Sequence, residues 1–312
     1  MATFKQNTIA LVYDFDETLS PKPMQEYTIL PELGENPAKF WQECTKEAER
    51  LGADSMLTYM RLLIEKMKQN KKGLNKNDLQ KLAVDIEYFA GVEGFFASIN
   101  NYVKTRFDNK IKIEHYIISA GLKEILNGIT IKHNFTKMFA SEYYFDEYTG
   151  NADFPTIVVN SATKTQYLFE INKGTDKVNS HMDEKERKIP FANMLYFGDG
   201  DTDVPCMTIV KKNGGHSIAV HNPGISKKIK KCKELLEADR IDYYAPADYS
   251  KNSILDKRIK LIIDSVGTNI LLEKEKFSVR KKSQTQLTEM TEIFNKMDLA
   301  QQEKLLVSLR IT

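Results

Sequence analysis

Residues 9–20 read IALVYDFDETLS, an apolar run that stops at Asp14 and is followed by a second carboxylate at Asp16. Because residues i and i+2 of an extended chain point the same way, the two carboxylates can converge just beyond the end of a strand. Two acids at the end of a buried strand are costly unless a cation or a reaction uses them. This stretch therefore predicts a first β-strand that leads into a functional site.

The composition is that of a globular protein with one large domain and an insertion, or with two domains. The chain has 312 residues, of which 41% are hydrophobic and 28% are charged. Its net charge is only +2, so bulk charge gives no reason to expect nucleic acid or a membrane as a partner. The three cysteines lack the spacing of a metal knuckle or a disulfide framework, and no apolar run approaches a membrane span. We expect a cytoplasmic location, with the N-terminus forming a strand and not a leader peptide.

A helical insertion is expected directly after the first strand. Three prolines, Pro21, Pro23 and Pro31, predict a connector without regular structure. From residue 38 to residue 104 the apolar residues recur at helical spacing, with no convincing strand between them. We therefore predict a helical domain over 21–108, inserted into a core that comprises 1–20 and 109–282.

Beyond the insertion, strand-like apolar runs alternate with helical patterns. Strands are predicted at 112–119, 138–145, 156–160, 193–197, 217–220 and 242–245. Strands separated by helices of this length favour an α/β fold with a parallel sheet and right-handed crossovers.

The C-terminal segment 283–312 is helical and amphipathic in pattern. It follows a basic triplet at 280–282, where we place a hinge into a helical appendage. The apolar stripe of this appendage is predicted to pack onto its own domain or across a homodimer interface.

Polar side chains at the strand ends permit phosphoryl chemistry. In a parallel sheet, Asp14, Ser119 and Asp199 fall at the same edge, outside the carboxyl ends of the strands. Asp14 is a carboxylate that can attack phosphorus, and Asp16 can protonate the leaving oxygen. Asp199 completes a set of oxygen ligands that suits Mg²⁺.

The phosphate oxygens are expected to be bound by groups around these acids. Ser119 and the backbone amides after it, at Ala120 and Gly121, are predicted to donate to them at a helix N-terminus. Lys164, at the start of a helix over 163–172, is predicted to neutralise charge on the nucleophile and the phosphate.

Four segments together resemble the motifs of the haloacid dehalogenase-like (HAD) superfamily. DFDET at 14–18 is similar to the first motif, DxDxT, and GDGDTD at 198–203 is similar to the fourth. Ser119 and Lys164 resemble the second and third motifs in order and placement. The resemblance implies a Rossmann-like three-layer core, and the insertion after the first motif resembles the helical C1 cap of phosphoserine-phosphatase-like members.

The resemblance also implies a role for each matched residue. Asp14 would be the nucleophile and Asp16 the general acid and base. The residues that would hold Mg²⁺ are Asp14, Asp16 through its backbone carbonyl, Asp199 and, in support, Asp203. The residues that would bind the phosphate are Ser119, Ala120, Gly121, Lys164 and Thr18. Lys173 is a rival for the lysine role, because Lys164 precedes Asp199 by more residues than the resemblance leads us to expect.

The acid at position 16 favours a phosphatase over a dehalogenase, because halide leaves without a proton whereas an alkoxide needs one. The sequence thus predicts a Mg²⁺-dependent phosphomonoester hydrolase that acts through an aspartyl-phosphate on a small phosphorylated substrate. The alternatives are a phosphotransferase, a phosphonatase with a cap lysine, and a phospho-ligand-binding regulatory module without turnover. The lysine-rich helix over 225–238 is interpreted as a solvated face and not as a nucleic-acid site.

Overall fold

The computed structural model describes residues 3–70, 73–200 and 202–309, with the backbone alone at 308 and 309. The chain forms two compact units. The larger unit is Lys5–Gly267, and the smaller contains most of a long C-terminal helix together with the helix after it. None of the described helices combines the length and the apolarity that crossing a bilayer requires.

A mostly parallel sheet runs through the larger unit. Its strands are β1 (Thr8–Tyr13), β2 (Lys112–Leu122), β3 (Lys137–Phe145), β4 (Ala152–Ile157), β5 (Met194–Gly198), β6 (His216–His221) and β7 (Tyr243–Pro246). Their spatial order is β4-β3-β2-β1-β5-β6-β7. All neighbours are parallel except β3 and β4, which form an antiparallel hairpin. The first strand of the chain therefore lies in the middle of the sheet.

The central position of β1 follows from its composition. All six residues of TIALVY are buried, as expected for a continuous apolar strand that is covered on both faces. Tyr13 pairs with Ile117 of β2 and with Phe197 of β5, so β1 and β5 end at nearly the same level, whereas β2 continues to Leu122. The Asp14 amide donates to the Phe197 carbonyl over 2.8 Å, which fixes the chain where it leaves the sheet.

The predicted helical insertion lies between β1 and β2. Its helices are α1 (Met24–Tyr27), α2 (Ile29–Leu33), α3 (Pro37–Leu51), α4 (Ser55–Gln69), α5 (Lys76–Leu82) and α6 (Val92–Arg106). The prediction of an irregular connector over 21–33 was wrong, because α1 and α2 occupy most of it. Pro23 only precedes α1, and Pro31 lies in the first turn of α2, where a missing N–H leaves no helical hydrogen bond unmade.

The remaining helices all follow β2 along the chain. They are α7 (Lys123–Leu126), α8 (Lys164–Lys173), α9 (Val204–Lys212), α10 (Ser226–Glu237), α11 (Ile254–Lys296) and α12 (Leu299–Leu309). Short 3₁₀ helices occupy Ala83–Asp85, Lys132–Asn134, Glu184–Glu186 and Phe191–Asn193. This confirms the predicted α/β class with an inserted helical region and a helical C-terminal region.

The predicted hinge at 280–282 is wrong, because α11 continues through these residues without a break. Arg and Lys are good helix formers, and the sequence from 268 to 309 contains neither Gly nor Pro to interrupt a helix. The domain boundary at 283 stays a prediction. Within the smaller unit, the Phe4 ring packs on Phe277, with ring centroids 5.9 Å apart.

Candidate active site

Three aspartates from two strand ends converge at the carboxyl edge of the sheet. Asp14 follows β1, Asp199 follows β5, and Asp203 immediately precedes α9. Each offers one carboxylate oxygen, and these oxygens all lie within 4.8 Å of one another. Acids that are distant along the chain therefore lie close together in space. Asp201, between the last two, lies outside the described residues.

Both oxygens of the Asp14 carboxylate contact other groups of the protein, and the residue is only 5% exposed. Oδ1 accepts a hydrogen bond from the Phe15 amide at 2.8 Å, and Oδ2 lies 3.1 Å from Lys164 Nζ. Burial and the nearby Asp203 carboxylate raise the pKa of Asp14, while Lys164 acts in the opposite direction. These contacts fix the orientation of a carboxylate that still faces the cavity described below.

Lys164 is the first residue of α8, and its side chain is completely buried. Its ammonium lies 2.8 Å from Asp203 Oδ1 as well as 3.1 Å from Asp14 Oδ2. Burial disfavours the charge, but the two carboxylates overcome this and raise the pKa of Lys164. Lys173, the rival lysine at the other end of α8, instead donates to the carbonyls of Val178 and Ser180 over 2.5 and 2.6 Å.

Within the described part of the chain, one of the two Asp203 carboxylate oxygens accepts hydrogen bonds and the other does not. Oδ1 accepts from Lys164 and from the Tyr196 hydroxyl, the latter at 2.7 Å. Oδ2 is buried and finds no hydrogen-bond partner among the described residues. The carboxylate fits here because residue 198 is glycine: a Cβ there would lie 2.4 Å from Asp203 Cγ. A buried carboxylate oxygen without a donor, beside two further carboxylates, is a donor set that fits Mg²⁺.

Asp16 lies in a different environment from Asp14. Its Oδ1 accepts a hydrogen bond from the Met24 amide at 2.7 Å. Burial nevertheless raises the pKa of Asp16 to about 7. Gly121 lies close to this carboxylate, since a Cβ at that position would be 3.1 Å from Asp16 Oδ2. A carboxyl group with such a pKa can both give and take a proton near neutral pH.

The predicted phosphate-binding groups on β2 are close to these acids. Ser119 is fully buried, and its Oγ accepts a hydrogen bond from the Gly121 amide at 3.0 Å. The helix that follows begins at Lys123 and is four residues long. Before it, β2 continues to pair with β3 as far as Leu122, which is opposite Ser141. The amides of 120 and 121 therefore belong to a strand and not to a helix N-terminus.

The acids open onto a cavity of about 610 Å³ between the insertion and the sheet edge. Of the predicted site residues, those that line it are Asp14, Asp16, Ala120, Gly121 and Asp199. Those buried outside its lining are Thr18, Ser119, Lys164 and Asp203. Thr18 Oγ1 has no hydrogen-bond partner among the described residues. The structure thus separates predicted site residues that line the cavity from those buried behind its surface.

The insertion contributes an aromatic and apolar wall to this cavity. Trp41, Met56 and Tyr59 line it from α3 and α4. The Tyr59 hydroxyl donates to the Ala120 carbonyl over 2.9 Å, and Trp41 Nε1 donates to Glu26 Oε1 over 2.8 Å. The first bond joins the insertion to β2 next to Ser119, and the second joins α3 to α1 within the insertion.

The sequence did not predict the role of Lys228. This residue of α10 places its Nζ 2.7 Å from Asp199 Oδ2 and 2.7 Å from Glu17 Oε2. Burial and Asp203 raise the pKa of Asp199 to about 6, and Lys228 opposes that rise. Tyr196, the second donor to Asp203, was missed as well. Neither residue belongs to a motif, and only the folded chain brings them to the acids.

Comparison with known proteins agrees with this geometry. The family model for haloacid dehalogenase-like hydrolases matches residues 11–208. An uncharacterized protein of Borreliella burgdorferi is 28% identical over 275 residues, which cover 80% of this chain and 95% of that protein.

Two solved structures share the fold. A HAD family hydrolase from Salmonella enterica serovar Typhi has a TM-score of 0.52 at 18% identity, over 84% of this chain and 71% of that one. A phosphoserine phosphatase, solved as a phospho-aspartyl intermediate analogue, has a TM-score of 0.50 at 19% identity, over 82% of this chain and 99% of that one. On the strength of the family match, which spans the strand-end acids and Lys164, this chain belongs to the haloacid dehalogenase-like hydrolase family.

Proposed function

We propose that this chain is a Mg²⁺-dependent phosphomonoester hydrolase that acts through an aspartyl-phosphate on a small phosphorylated substrate. The observation that carries the proposal is the pairing of two unlike carboxyl groups in one cavity. Asp14 is held by Lys164 and the Phe15 amide, whereas Asp16 has a pKa of about 7. A nucleophile and a proton donor are what a phosphate ester with a poor leaving group requires.

In the first step, an Asp14 carboxylate oxygen attacks phosphorus, and the bond from phosphorus to the ester oxygen breaks. Asp16, in its protonated form, gives its proton to that oxygen, so that the alcohol leaves neutral. The product of this step is a phosphoryl group bound to Asp14.

In the second step, water attacks the phosphorus of the aspartyl-phosphate, and the bond from phosphorus to Asp14 breaks. Asp16, now ionised, takes a proton from the attacking water and is ready for the next turnover. Inorganic phosphate leaves, and Asp14 returns to its carboxylate form.

The residues that would hold Mg²⁺ are Asp14, Asp199 and Asp203, together with the Asp16 backbone carbonyl. When bound, the ion supplies positive charge next to the phosphoryl oxygens. Lys164 is also proposed to stabilise negative charge on the phosphoryl group, because its buried ammonium lies 3.1 Å from Asp14. Ser119 and Thr18, buried beside the cavity, are proposed to bind phosphate oxygens.

The insertion is proposed to act as a C1-type cap that selects the alcohol part of the substrate and excludes water. Support comes from the cavity wall that it forms with Trp41, Met56 and Tyr59. Among the described residues, no lysine of the insertion lines this cavity. A Schiff-base phosphonatase, which needs a cap lysine, is therefore less well supported than a phosphatase.

The proposal extends to location and partners. We propose that the protein is a cytoplasmic enzyme whose substrates are small phosphorylated molecules and whose partners include neither nucleic acid nor a membrane. The three cysteines are free and buried, which is compatible with a reducing compartment.

The test is hydrolysis of p-nitrophenyl phosphate by the protein after metal removal, with and without added Mg²⁺. The expected result is activity that requires the ion and is abolished by Asp14→Asn. Asp183→Asn, which changes an exposed acid remote in sequence from the motifs, is the matched control and should keep wild-type activity. Repeating the reaction with an alcohol acceptor separates hydrolysis from transfer. Full activity of Asp14→Asn, or none in the wild type at any metal concentration, would contradict the proposal.

A further inference from the structure

Lys228 joins the two loops that carry the strand-end acids. Its Nζ lies 2.7 Å from Asp199 Oδ2, in the loop after β5, and 2.7 Å from Glu17 Oε2, in the loop after β1. All three residues line the cavity. Because α10 packs beside β6, the lysine reaches both loops from an element that belongs to neither. We call Glu17, Lys228 and Asp199 the charged bridge.

Glu17 takes part in the charged bridge at a conformational cost. It lies in a tight turn in which the Phe15 carbonyl accepts hydrogen bonds from the amides of residues 18–20. Its φ is +57°, in the left-handed region that residues other than glycine rarely occupy. Backbone strain of this kind persists at positions where it serves a function. Glycine would fit the turn without strain, so the side chain of Glu17, which pairs with Lys228, accounts for its presence.

The charged bridge leaves Asp199 able to bind a metal ion. Asp199 contributes one oxygen to the cluster that it forms with Asp14 and Asp203. A carboxylate that gives one oxygen to a cation can accept a hydrogen bond with the other, and such a bond orients it. The charge of Lys228 has the opposite effect, because an ammonium close to the site repels Mg²⁺. Orientation and repulsion therefore predict opposite results when the lysine is removed.

We propose that Lys228 is a positioning residue for the Mg²⁺ site. It holds the Asp199 carboxylate in the orientation that binds the ion, and Glu17 anchors the lysine from the loop after β1. Lys228 acts here through Asp199 and not on the substrate. The inference rests on the proposed function, because it assumes that Asp199 is one of the residues that hold Mg²⁺.

The experiment measures metal affinity without turnover. Mn²⁺, which shares the preference of Mg²⁺ for oxygen ligands, is titrated into the full-length, metal-free protein. Electron paramagnetic resonance quantifies the free Mn²⁺, and displacement by Mg²⁺ then gives the affinity for Mg²⁺. Lys228→Met removes the charged bridge, whereas Lys228→Arg keeps a cation that can bind carboxylates. Lys227→Met is the matched control, because it removes a lysine from the lining of the same cavity that makes no ion pair within the described residues.

Lys228→Met should bind Mg²⁺ about tenfold more weakly than the wild type, as is usual when a group that orients a metal ligand is lost. Lys228→Arg should recover most of that affinity. Lys227→Met should bind Mg²⁺ at least as tightly as the wild type, because it loses only a repulsive charge. Glu17→Gly removes the anchor without backbone strain and should weaken binding too. Circular dichroism checks the fold of each variant, and Glu17→Gly decides the outcome if Lys228→Met does not fold.

Unchanged or tighter Mg²⁺ binding by Lys228→Met overturns the inference, as does an equal loss of affinity in Lys227→Met. A Lys228→Arg protein that binds as weakly as Lys228→Met overturns it too, and unchanged affinity in Glu17→Gly overturns the role of the anchor. Failure of the proposed function has a different signature, namely metal binding that depends on Lys228 without hydrolysis of any phosphate ester. Hydrolysis of esters together with metal binding that is independent of Lys228 would remove only the charged bridge.

Discussion

Lys164 Nζ lies 2.8 Å from Asp203 Oδ1, and both side chains are completely shielded from solvent. The same ammonium lies 3.1 Å from Asp14 Oδ2. One buried cation therefore serves two carboxylates that come from different parts of the sheet edge. Removing it would leave both of them with a large desolvation cost and no ion-pair partner.

The first prediction is that Lys164→Met destabilises the metal-free protein by about 3–5 kcal/mol and abolishes activity. Losing one partner of a buried ion pair leaves an uncompensated charge, which costs about that much free energy. The destabilisation should be smaller at acidic pH, because the carboxylates can then become neutral. Denaturant unfolding of both proteins at neutral and acidic pH measures the difference in unfolding free energy.

Lys173→Met is the matched control, since Lys173 is on the same helix but binds loop carbonyls. It should keep the activity of the wild type. An active, fully stable Lys164→Met protein would show that the buried ammonium is not needed.

The second prediction concerns proton transfer by Asp16. In Asp16→Asn, hydrolysis of an alkyl phosphate should fall by about 10²- to 10⁴-fold, the usual contribution of a general acid. The kcat/KM for p-nitrophenyl phosphate should fall much less, because this parameter reports transfer to Asp14 and nitrophenolate leaves without a proton. Comparing kcat/KM for the two esters measures the difference. Equal losses of kcat/KM on both would contradict a role for Asp16 as the acid of the first step.

A site residue could be predicted from the sequence where the residues next to it in the chain identify its position. Asp14, Asp16, Ser119 and Asp199 could be placed because each follows an apolar run, and parallel strands bring such ends to one edge. Lys164 could be matched only through its place in an ordered set of motifs. The geometry then separates it from Lys173, which no spacing rule could do.

The residues that escaped prediction depend on tertiary contacts. Lys228 belongs to a helix whose charge pattern is that of a solvated face, yet the packing of α10 beside β6 brings it to Asp199. In the sequence, Tyr196 cannot be distinguished from the other apolar residues of its strand. Its role depends on the hydrogen bond that its hydroxyl donates to Asp203 in the folded chain. Arg280 to Lys282 looked like a hinge, although these residues form helix as readily as their neighbours.

The third prediction concerns pH and stability through His115, which is 2% exposed. Its Nδ1 lies 3.0 Å from the Tyr13 hydroxyl and its Nε2 lies 2.9 Å from Asn100 Oδ1, contacts that a neutral ring protonated at Nε2 satisfies. Burial lowers the pKa of His115 to about 3. Above pH 6.5 the ring is neutral in both folded and unfolded chains, whereas below it only the unfolded chain takes up a proton. His115 therefore contributes a loss of about 1.4 kcal/mol of unfolding free energy per pH unit below pH 6.5.

The measurement is the pH dependence of unfolding free energy in wild type and His115→Gln. The variant should lack the His115 contribution, so the difference between the two proteins should change by that slope as pH falls below 6.5. His133→Gln, at an exposed histidine, is the control and should stay parallel to the wild type. Parallel curves for wild type and His115→Gln would mean that the ring takes up a proton as readily in the folded chain as in the unfolded chain.

The fourth prediction is that a second copy of the chain covers the apolar stripe of α11. Leu287, Met290 and Ile293 are 65%, 66% and 58% exposed and recur at helical spacing. Light scattering should give the mass of a dimer for the wild type and of a monomer for Leu287→Glu with Ile293→Glu. Thr288→Glu, within the same stretch but on the opposite face of the helix, should stay dimeric. A monomeric wild type, or a dimeric stripe variant, would end this proposal.

The central claim is that Asp14 becomes covalently phosphorylated during turnover. The direct measurement is acid quenching of the enzyme with substrate and Mg²⁺, followed by mass spectrometry of the peptide that contains residues 14–20. In the wild type, and more abundantly in Asp16→Asn with an aryl phosphate, we expect a phosphoryl group on Asp14, since the missing base slows its hydrolysis. Rapid release of phosphate with no phosphorylated aspartate in either protein would contradict the account.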